Sequence, residues 1–222
     1  MDKLNNDPEF VAAARHREQV RQQRREEYAA LERPWVDQLR EAGYDVDSVW
    51  DLFNKKLDYH AAIPMLMEWL PQVTDRRVKE SLVRALSVRW AKPQAAPLLI
   101  SQFRDLDDDA QSGLRWAIGN ALEVVADDSV CADLVELARD RRYGKAREMI
   151  VIALGKMKKT RPVQVLIELL DDEVVAGHAI VALRKLKAPE ASEALEPFLN
   201  HPDTWIRNEA KKALGIGKKA TP

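Results

Sequence analysis

The residue types that most often carry chemistry are few and scattered in this sequence. None of the histidines is followed by glutamate, and they lie far apart, at His16, His60, His178 and His201. Cys131 is the single cysteine, so one chain can form neither a disulfide nor a thiolate metal site. Because the patterns H-E-x-x-H and C-x-x-C are also absent, the sequence predicts no catalytic constellation, no metal site and no cofactor.

Arginines cluster near the start of the chain. Residues 15–25 hold five arginines against Glu18, a local charge of +4, which would suit phosphates, a membrane surface or an acidic partner. Glu26 and Glu27 follow directly, and this alternation of charge favours a solvated helix without a ligand.

The composition is that of a folded, soluble chain. Of the 222 residues, 46% are hydrophobic and 32% are charged, and the formal net charge is −1. A charge so close to zero disfavours nucleic acid as a partner. The start of the chain lacks a signal-peptide pattern and no apolar run is long enough to span a bilayer, so we expect a cytoplasmic protein without a membrane segment.

A short motif recurs along the chain and identifies the elements that must position any site. It centres on alanines spaced 36, 32, 29 and 31 residues apart, at Ala85, Ala121, Ala153, Ala182 and Ala213. In each copy the residues seven and three positions before the alanine are apolar, and a leucine follows it. At about 100° per residue these positions form one stripe of an amphipathic helix, here named helix B.

A second apolar segment, named helix A, precedes each helix B. The predicted helix A segments are 61–70, 93–103, 130–138, 162–170 and 189–199. Pro93, Pro162 and Pro189 lie in the first turn, where no N–H is needed, and they favour these starts. Polar turns join A to B. The sequence therefore predicts helical hairpins at 59–92, 93–127, 128–159, 160–187 and 188–217, with a tail at 218–222.

The helix B segments resemble the short HEAT-like repeat of phycobiliprotein lyases, whose pattern is roughly V-R-x-x-A-x-x-A-L-G. Residues 146–155 read A-R-E-M-I-V-I-A-L-G, and residues 206–215 read I-R-N-E-A-K-K-A-L-G. This resemblance covers about residues 59–217 and implies an all-α fold, a right-handed α-α superhelix. A HEAT-repeat di-iron hydroxylase of deoxyhypusine binds metal through paired His-Glu motifs, and their absence excludes that enzyme.

Residues 1–58 do not follow the repeat and are predicted to form an N-terminal helical extension that caps the first hairpin. One helix is expected over 8–31 and a second over 34–42, with Gly43 as its stop. A third helix is expected to start near Ser48 and to end near residue 56.

A basic residue recurs six positions before the repeat alanine in four copies, at Lys79, Arg115, Arg147 and Arg207. We expect this ladder to bond the aspartates of the A–B turns, which lie four positions further upstream at Asp75, Asp172 and Asp203. Such pairs explain the ladder without a phosphate ligand.

Trp116 lies five positions before the repeat alanine, a phase that points away from the apolar stripe. Since helix B lines the concave surface of HEAT solenoids, we predict a partner-binding groove formed by Glu80, Arg84, Trp116, Asn120, Glu148, Val151, Ile152, Ile180, Val181 and Arg184. Glycines at 113, 119 and 177 are expected to leave space for a ligand. In the alternative interpretation, the aliphatic members only pack between neighbouring B helices. An exposed tryptophan among such groups is typical of a binding hot spot.

These features favour a non-enzymatic interaction module, an adaptor, scaffold or inhibitor-like protein that binds an unidentified protein partner. One alternative is a nucleic-acid-binding relative of the HEAT-like alkylpurine DNA glycosylases, whose site residues would correspond to Trp116, Arg147 and Arg184. The near-neutral charge and the lack of a close motif match disfavour it. A third option, which rests on the repeat alone, is a phycobilin-lyase-like subunit.

The helix B stripe can be tested at the leucine that follows the repeat alanine. Leu154→Ala is expected to lower the free energy of unfolding by roughly 2–5 kcal/mol, because it removes buried methyl groups and leaves a cavity. The measurement is a urea unfolding curve beside that of the parent chain. An unchanged midpoint would show that Leu154 lies outside the core.

Overall fold

The computed structural model describes residues 8–107 and 113–216, and every regular element in these ranges is helical. The all-α prediction is therefore confirmed for the described chain, which contains no strand. None of its helices is both long and apolar enough to cross a membrane. The predicted tail at 218–222 lies outside the described residues.

Two compact units make up the chain, residues 1–85 and residues 86–222. Their boundary falls at the end of a helix B, whereas the predicted domain boundary between residues 58 and 59 follows the repeat pattern of the sequence. The two divisions describe different properties, and the predicted boundary stays a prediction.

The described part of the first unit contains the α-helices α1 (Pro8–Glu41), α2 (Asp51–Asn54), α3 (Ile63–Trp69) and α4 (Arg76–Leu86). A 3-10 turn at His60–Ala62 leads directly into α3. Helix α3 corresponds to the first predicted helix A, and α4 to the first helix B.

Helix α1 runs without a break through Pro34, so the prediction that a second helix begins there is wrong. The proline removes one backbone hydrogen bond, whose acceptor would be the carbonyl of Ala30. Both residues are exposed, so water can satisfy that carbonyl. Val36 and Leu39, one turn later, are buried and hold the second half of the helix in place. Gly43 ends the helix as predicted, with a φ of 93° that favours glycine.

A buried carboxylate joins α1 to the segment before α2. Glu32 is 2% exposed, and its Oε2 accepts the N–H of Val49 at 3.4 Å. Burial raises the pKa of Glu32, although hydrogen bonds from Ser48 and Tyr28 favour the ionised form. The Tyr28 hydroxyl accepts a hydrogen bond from the indole N–H of Trp50 at 2.9 Å. Burial raises the pKa of Tyr28 to about 12. This network fixes the position of the residues that precede α2, which is shorter than the predicted third helix.

The described part of the second unit contains the α-helices α5 (Ala95–Asp105), α6 (Gly113–Val125), α7 (Cys131–Arg139), α8 (Glu148–Leu154), α9 (Val163–Glu168), α10 (Ala176–Leu186), α11 (Ser192–Leu195) and α12 (Thr204–Ala213). The odd-numbered members correspond to the predicted A helices and the even-numbered members to the B helices. Short 3-10 segments extend the A helices at Asp128–Val130, Leu169–Asp171, Pro189–Ala191 and Glu196–Asn200.

Successive B helices of the second unit pack against one another in chain order, α6 on α8, α8 on α10, and α10 on α12. Helices α6, α8 and α10 also pack against the A helix that precedes each of them. The repeat alanines Ala121, Ala153 and Ala182 are fully buried, as Ala85 is in the first unit. Ala213 was predicted to be buried but is only half-buried, because α12 is the last described helix and no further described repeat covers it.

Arg147 forms hydrogen bonds to its own hairpin and to the next one along the chain. Its side chain is 1% exposed and donates to Asp172 Oδ2 at 2.8 Å and to the carbonyl of Ala138 at 3.0 Å. A third hydrogen bond reaches the carbonyl of Gly144 at 3.1 Å. The hydrogen bond from Arg147 lowers the pKa of Asp172 below its ordinary value, against the opposing effect of burial. The predicted bond between a ladder arginine and a turn aspartate is confirmed for this pair.

Other members of the ladder make different contacts. The guanidinium of Arg115 lies 4.7 Å from the ring centroid of Tyr143, the residue that takes the place of a turn aspartate in the next copy. Arg207 donates to the carbonyl of Pro202 at 2.7 Å. Asp203 instead caps α12 by accepting backbone N–H groups, so the prediction that it pairs with the ladder is wrong.

The buried pair can be tested at its arginine. Arg147→Ala is expected to lower the free energy of unfolding by about 3 kcal/mol, because Asp172 and two carbonyls lose their donor inside the protein. Arg142→Ala is the matched control: its side chain is 85% exposed, so the urea midpoint should barely change.

The same pair predicts a pH dependence. The pKa of Asp172 is lowered in the folded state, so its contribution to stability is present at neutral pH and is lost as the pH falls below the ordinary aspartate pKa of 3.8. Asp172→Asn should therefore flatten this part of the stability profile, measured by urea unfolding across that pH range. A profile as steep as that of the parent chain would contradict the pairing.

Candidate partner-binding surface

The exposed face of α6 carries the first residue of the candidate site. Trp116 is 45% exposed, as its helical phase predicted. Asn120, one turn later, donates its side-chain N–H to the Trp116 carbonyl at 2.9 Å. Glu123 follows on the same face, since residues three and four apart are neighbours on a helix. Helix α6 therefore presents an aromatic ring beside polar groups.

Three of the predicted groove residues are not accessible. Val151 and Ile180 are fully buried, and Val181 is 9% exposed. Ile152 is half-buried. Because α8 and α10 pack directly against each other, the three buried side chains are enclosed between them and their neighbours. The prediction that Val151, Ile180 and Val181 line an open groove is therefore wrong, and the alternative, that these side chains pack between neighbouring B helices, agrees with their burial.

His178 on α10 connects the helices on either side of it. Its Nε2 lies 3.8 Å from a carboxylate oxygen of Glu148 on α8, and its ring centroid lies 5.2 Å from that of Trp205 on α12. Burial lowers the pKa of His178, although the charge of Glu148 acts in the opposite direction. A neutral imidazole is therefore favoured at neutral pH, which suits its packing against an indole.

Trp205 is a second half-exposed tryptophan of the B helices, 44% exposed, which the repeat phase did not indicate. It lies against Gly177, where an added Cβ would come within 2.2 Å of the indole ring. The space at Gly177 is thus filled by this protein's own side chain and not left for a ligand, contrary to the prediction. Gly119 is enclosed in a similar way, since an added Cβ would lie 3.0 Å from the carbonyl of Ala146. A glycine on a helix B was the available sign that the next copy approaches closely at that position.

Several charged side chains on or next to the B helices pair with one another. Glu123 lies 2.7 Å from the ammonium of Lys156 and 3.4 Å from that of Lys185. Burial alone would raise the pKa of Glu123, but these two ammonium groups outweigh it and lower the pKa. Arg184, a predicted groove residue, donates to the buried carboxylate of Glu209 at 3.1 Å. Beside these pairs, the large apolar groups exposed on the B helices of the second unit are the indole rings of Trp116 and Trp205.

Two predicted site residues, Glu80 and Arg84, lie on α4 in the first unit. Arg84 donates to Glu80 at 2.7 Å, and its guanidinium lies 5.6 Å from the ring centroid of Trp50. They form a contact within that unit, and the other eight predicted residues belong to the second unit. In residues 8–107 and 113–216, no group of three or more His, Cys, Asp and Glu side chains could hold a metal ion.

Comparisons with known proteins support the fold and do not identify a family. No family model matches the chain, and no curated protein sequence matches it. Among solved structures, a designed armadillo repeat protein is similar at a TM-score of 0.50 and 18% sequence identity, over 72% of this chain and 84% of that one. At this identity the similarity shows the fold alone. The fold class is that of a helical-repeat solenoid, and the narrower HEAT assignment stays a prediction.

The contact between Gly177 and Trp205 can be tested by adding one methyl group. Gly177→Ala is expected to displace the indole and to lower the free energy of unfolding by about 1–3 kcal/mol, because the Cβ would overlap the ring. Tryptophan emission and urea unfolding measure the two effects, and the emission change should vanish in a Trp205→Phe background. Gly113→Ala is the control, since its Cβ would meet nothing within 4 Å.

Proposed function

We propose that this protein is a non-enzymatic interaction module that binds a protein partner through the B helices of its second unit. The observation that carries the proposal is the pair of half-exposed tryptophans, Trp116 on α6 and Trp205 on α12, on helices that also carry ion pairs. A helical-repeat fold is typical of protein-interaction scaffolds, because its stacked helices present an extended surface.

The energetics of such a surface favour aromatic anchors. Large rings that a partner can desolvate contribute most of the binding energy at protein interfaces, and tryptophan is enriched among these residues. Trp205 is already held by His178, so little conformational entropy is lost when a partner covers it. The surrounding ion pairs would form a polar rim, which contributes mainly to specificity and association rate.

Contacts of the arginines argue against the glycosylase-like alternative. Arg147 is enclosed by Asp172 and two carbonyls, so it is not accessible to a nucleic-acid backbone. Arg184 is engaged with Glu209. Of the three residues considered for that function, Trp116 alone is exposed without an ionic partner, and one indole does not make a phosphate-binding site.

The experiment begins with capture of partners from the native host, followed by measured affinity of the recovered protein for single variants. Trp116→Ala and Trp205→Ala should each weaken binding about thirtyfold, the equivalent of roughly 2 kcal/mol for an aromatic anchor. Arg184→Ala should change the affinity several-fold at most, because it lies in a paired rim.

Trp90→Ala provides the matched control. Trp90 is 39% exposed but belongs to the 3-10 segment Arg89–Ala91 and to no B helix, so the affinity should be unchanged. If both tryptophan variants are folded and bind with full affinity, the binding surface lies elsewhere on the protein.

Binding to duplex DNA across a salt series tests the rival function. Sub-micromolar affinity at physiological salt would favour a nucleic-acid-binding function, since non-specific binding is about 10⁻⁴ to 10⁻⁶ M.

A further inference from the structure

A second surface, in the first unit, is rich in basic residues, whereas the proposed partner-binding surface of the second unit is aromatic. An open cleft of about 750 Å³ lies beside the N-terminal half of α1, and we name it the arginine cleft. Its charged lining residues are all basic: His16, Arg17, Arg21, Arg24, Arg25 and, from α4, Arg77. Val20 and Tyr28 complete it. No carboxylate is among the residues that line this cleft.

Helix geometry explains why these arginines share one side. At about 100° per residue, Arg17, Arg21, Arg24 and Tyr28 fall within about 60° of one another. They extend over about 16 Å of helix at about 1.5 Å per residue. Arg77 lies against the same side, with its guanidinium 5.7 Å from the ring centroid of Tyr28.

Most of this charge is not neutralised by the protein itself. Arg21 pairs with Glu18 at 3.0 Å, and Arg77 pairs with Asp75 at 3.3 Å. Among the described residues, Arg17, Arg24 and Arg25 have no carboxylate within ion-pair distance. Three exposed guanidinium groups on a short length of helix repel one another, and an anion that binds among them relieves this repulsion.

The flanking residues indicate which anion fits. Glu26 and Glu27 end the basic stretch, so the positive surface is short and does not suit a long phosphate backbone. The other side of α1 forms a surface of Glu18, Gln19, Gln22, Gln23 and Glu26 beside Arg15. This polar side offers no apolar stripe to insert into a membrane.

We propose that the arginine cleft binds a short acidic segment of a protein partner, with its carboxylates bonded to Arg17, Arg24 and Arg25. Guanidinium groups suit this ligand because each presents a planar pair of N–H donors to a carboxylate. The proposal extends the proposed function, since the ligand is a protein segment. The arginine cleft consists of other residues than the tryptophan surface, so either of the two proposals can be disproved while the other stands.

The test measures the affinity of the full chain for fluorescein-labelled octaglutamate by fluorescence anisotropy. Binding should be detectable at low salt and should weaken as salt is raised, because screening shortens to about 3 Å at 1 M. The double variant Arg17→Ala/Arg24→Ala should lose about five- to tenfold in affinity. Absence of binding at low salt to the folded chain would overturn the proposal.

The control removes the same charge from the same helix. Arg15 and Arg33 lie about 180° from Arg24 around α1, so Arg15→Ala/Arg33→Ala should retain most of the affinity. An equal loss in both double variants would mean that net charge, and not the cleft, binds the peptide. Circular dichroism of each variant shows whether α1 stays helical.

Two further probes separate the other anionic partners. One is a labelled nine-nucleotide oligothymidylate, which carries about as many charges as octaglutamate. The other is a vesicle of seven parts phosphatidylcholine to three parts phosphatidylserine. Binding to either that is tenfold tighter than to the peptide, and that Arg17→Ala/Arg24→Ala abolishes, would overturn the proposal in favour of nucleic acid or membrane. The B-helix variant Trp116→Ala should leave peptide binding unchanged.

Discussion

The spacing between successive B helices of the second unit depends on small residues where the helices meet. A Cβ added at Gly155 would lie 2.7 Å from the Cα of Ala182, so these two stretches of backbone are in direct contact. At this separation the apolar stripes of α8 and α10 bury each other at interior density. Helices of 7 and 11 residues are unstable alone in water, so this packing holds them helical.

Close packing also decides how charges are used. A buried charge without a partner costs several kcal/mol, so a polar side chain enclosed between hairpins must find its counter-charge there. Arg147 with Asp172, and Glu209 with Arg184, are two such pairs. Among the exposed side chains of these helices are two large aromatic rings, at Trp116 and Trp205. The proposed anchor surface therefore lies on a stack that satisfies these buried polar groups itself.

The arginines in the N-terminal half of α1 do not need a counter-charge from the protein. The side chains of Arg17 and Arg24 are exposed, so they can stay hydrated without a partner. The two proposed surfaces thus differ in chemistry: one presents aromatic rings beside ion pairs, and the other presents arginines of which only some are paired. Both are solvent-exposed, but an aromatic anchor gains by losing water, whereas guanidinium groups gain by direct hydrogen bonds to carboxylates.

The sequence by itself determined the helical class, the repeat alanines and the exposure of Trp116, because each follows from the period of a single helix. Tertiary structure decided that α1 continues through Pro34, that Val151 and Ile180 are buried, and that Trp205 fills the space at Gly177. Helical phase fixes the direction of a side chain relative to its own axis. It does not determine which neighbouring helix, ring or solvent lies in that direction, and only the packing of separate elements supplies that answer.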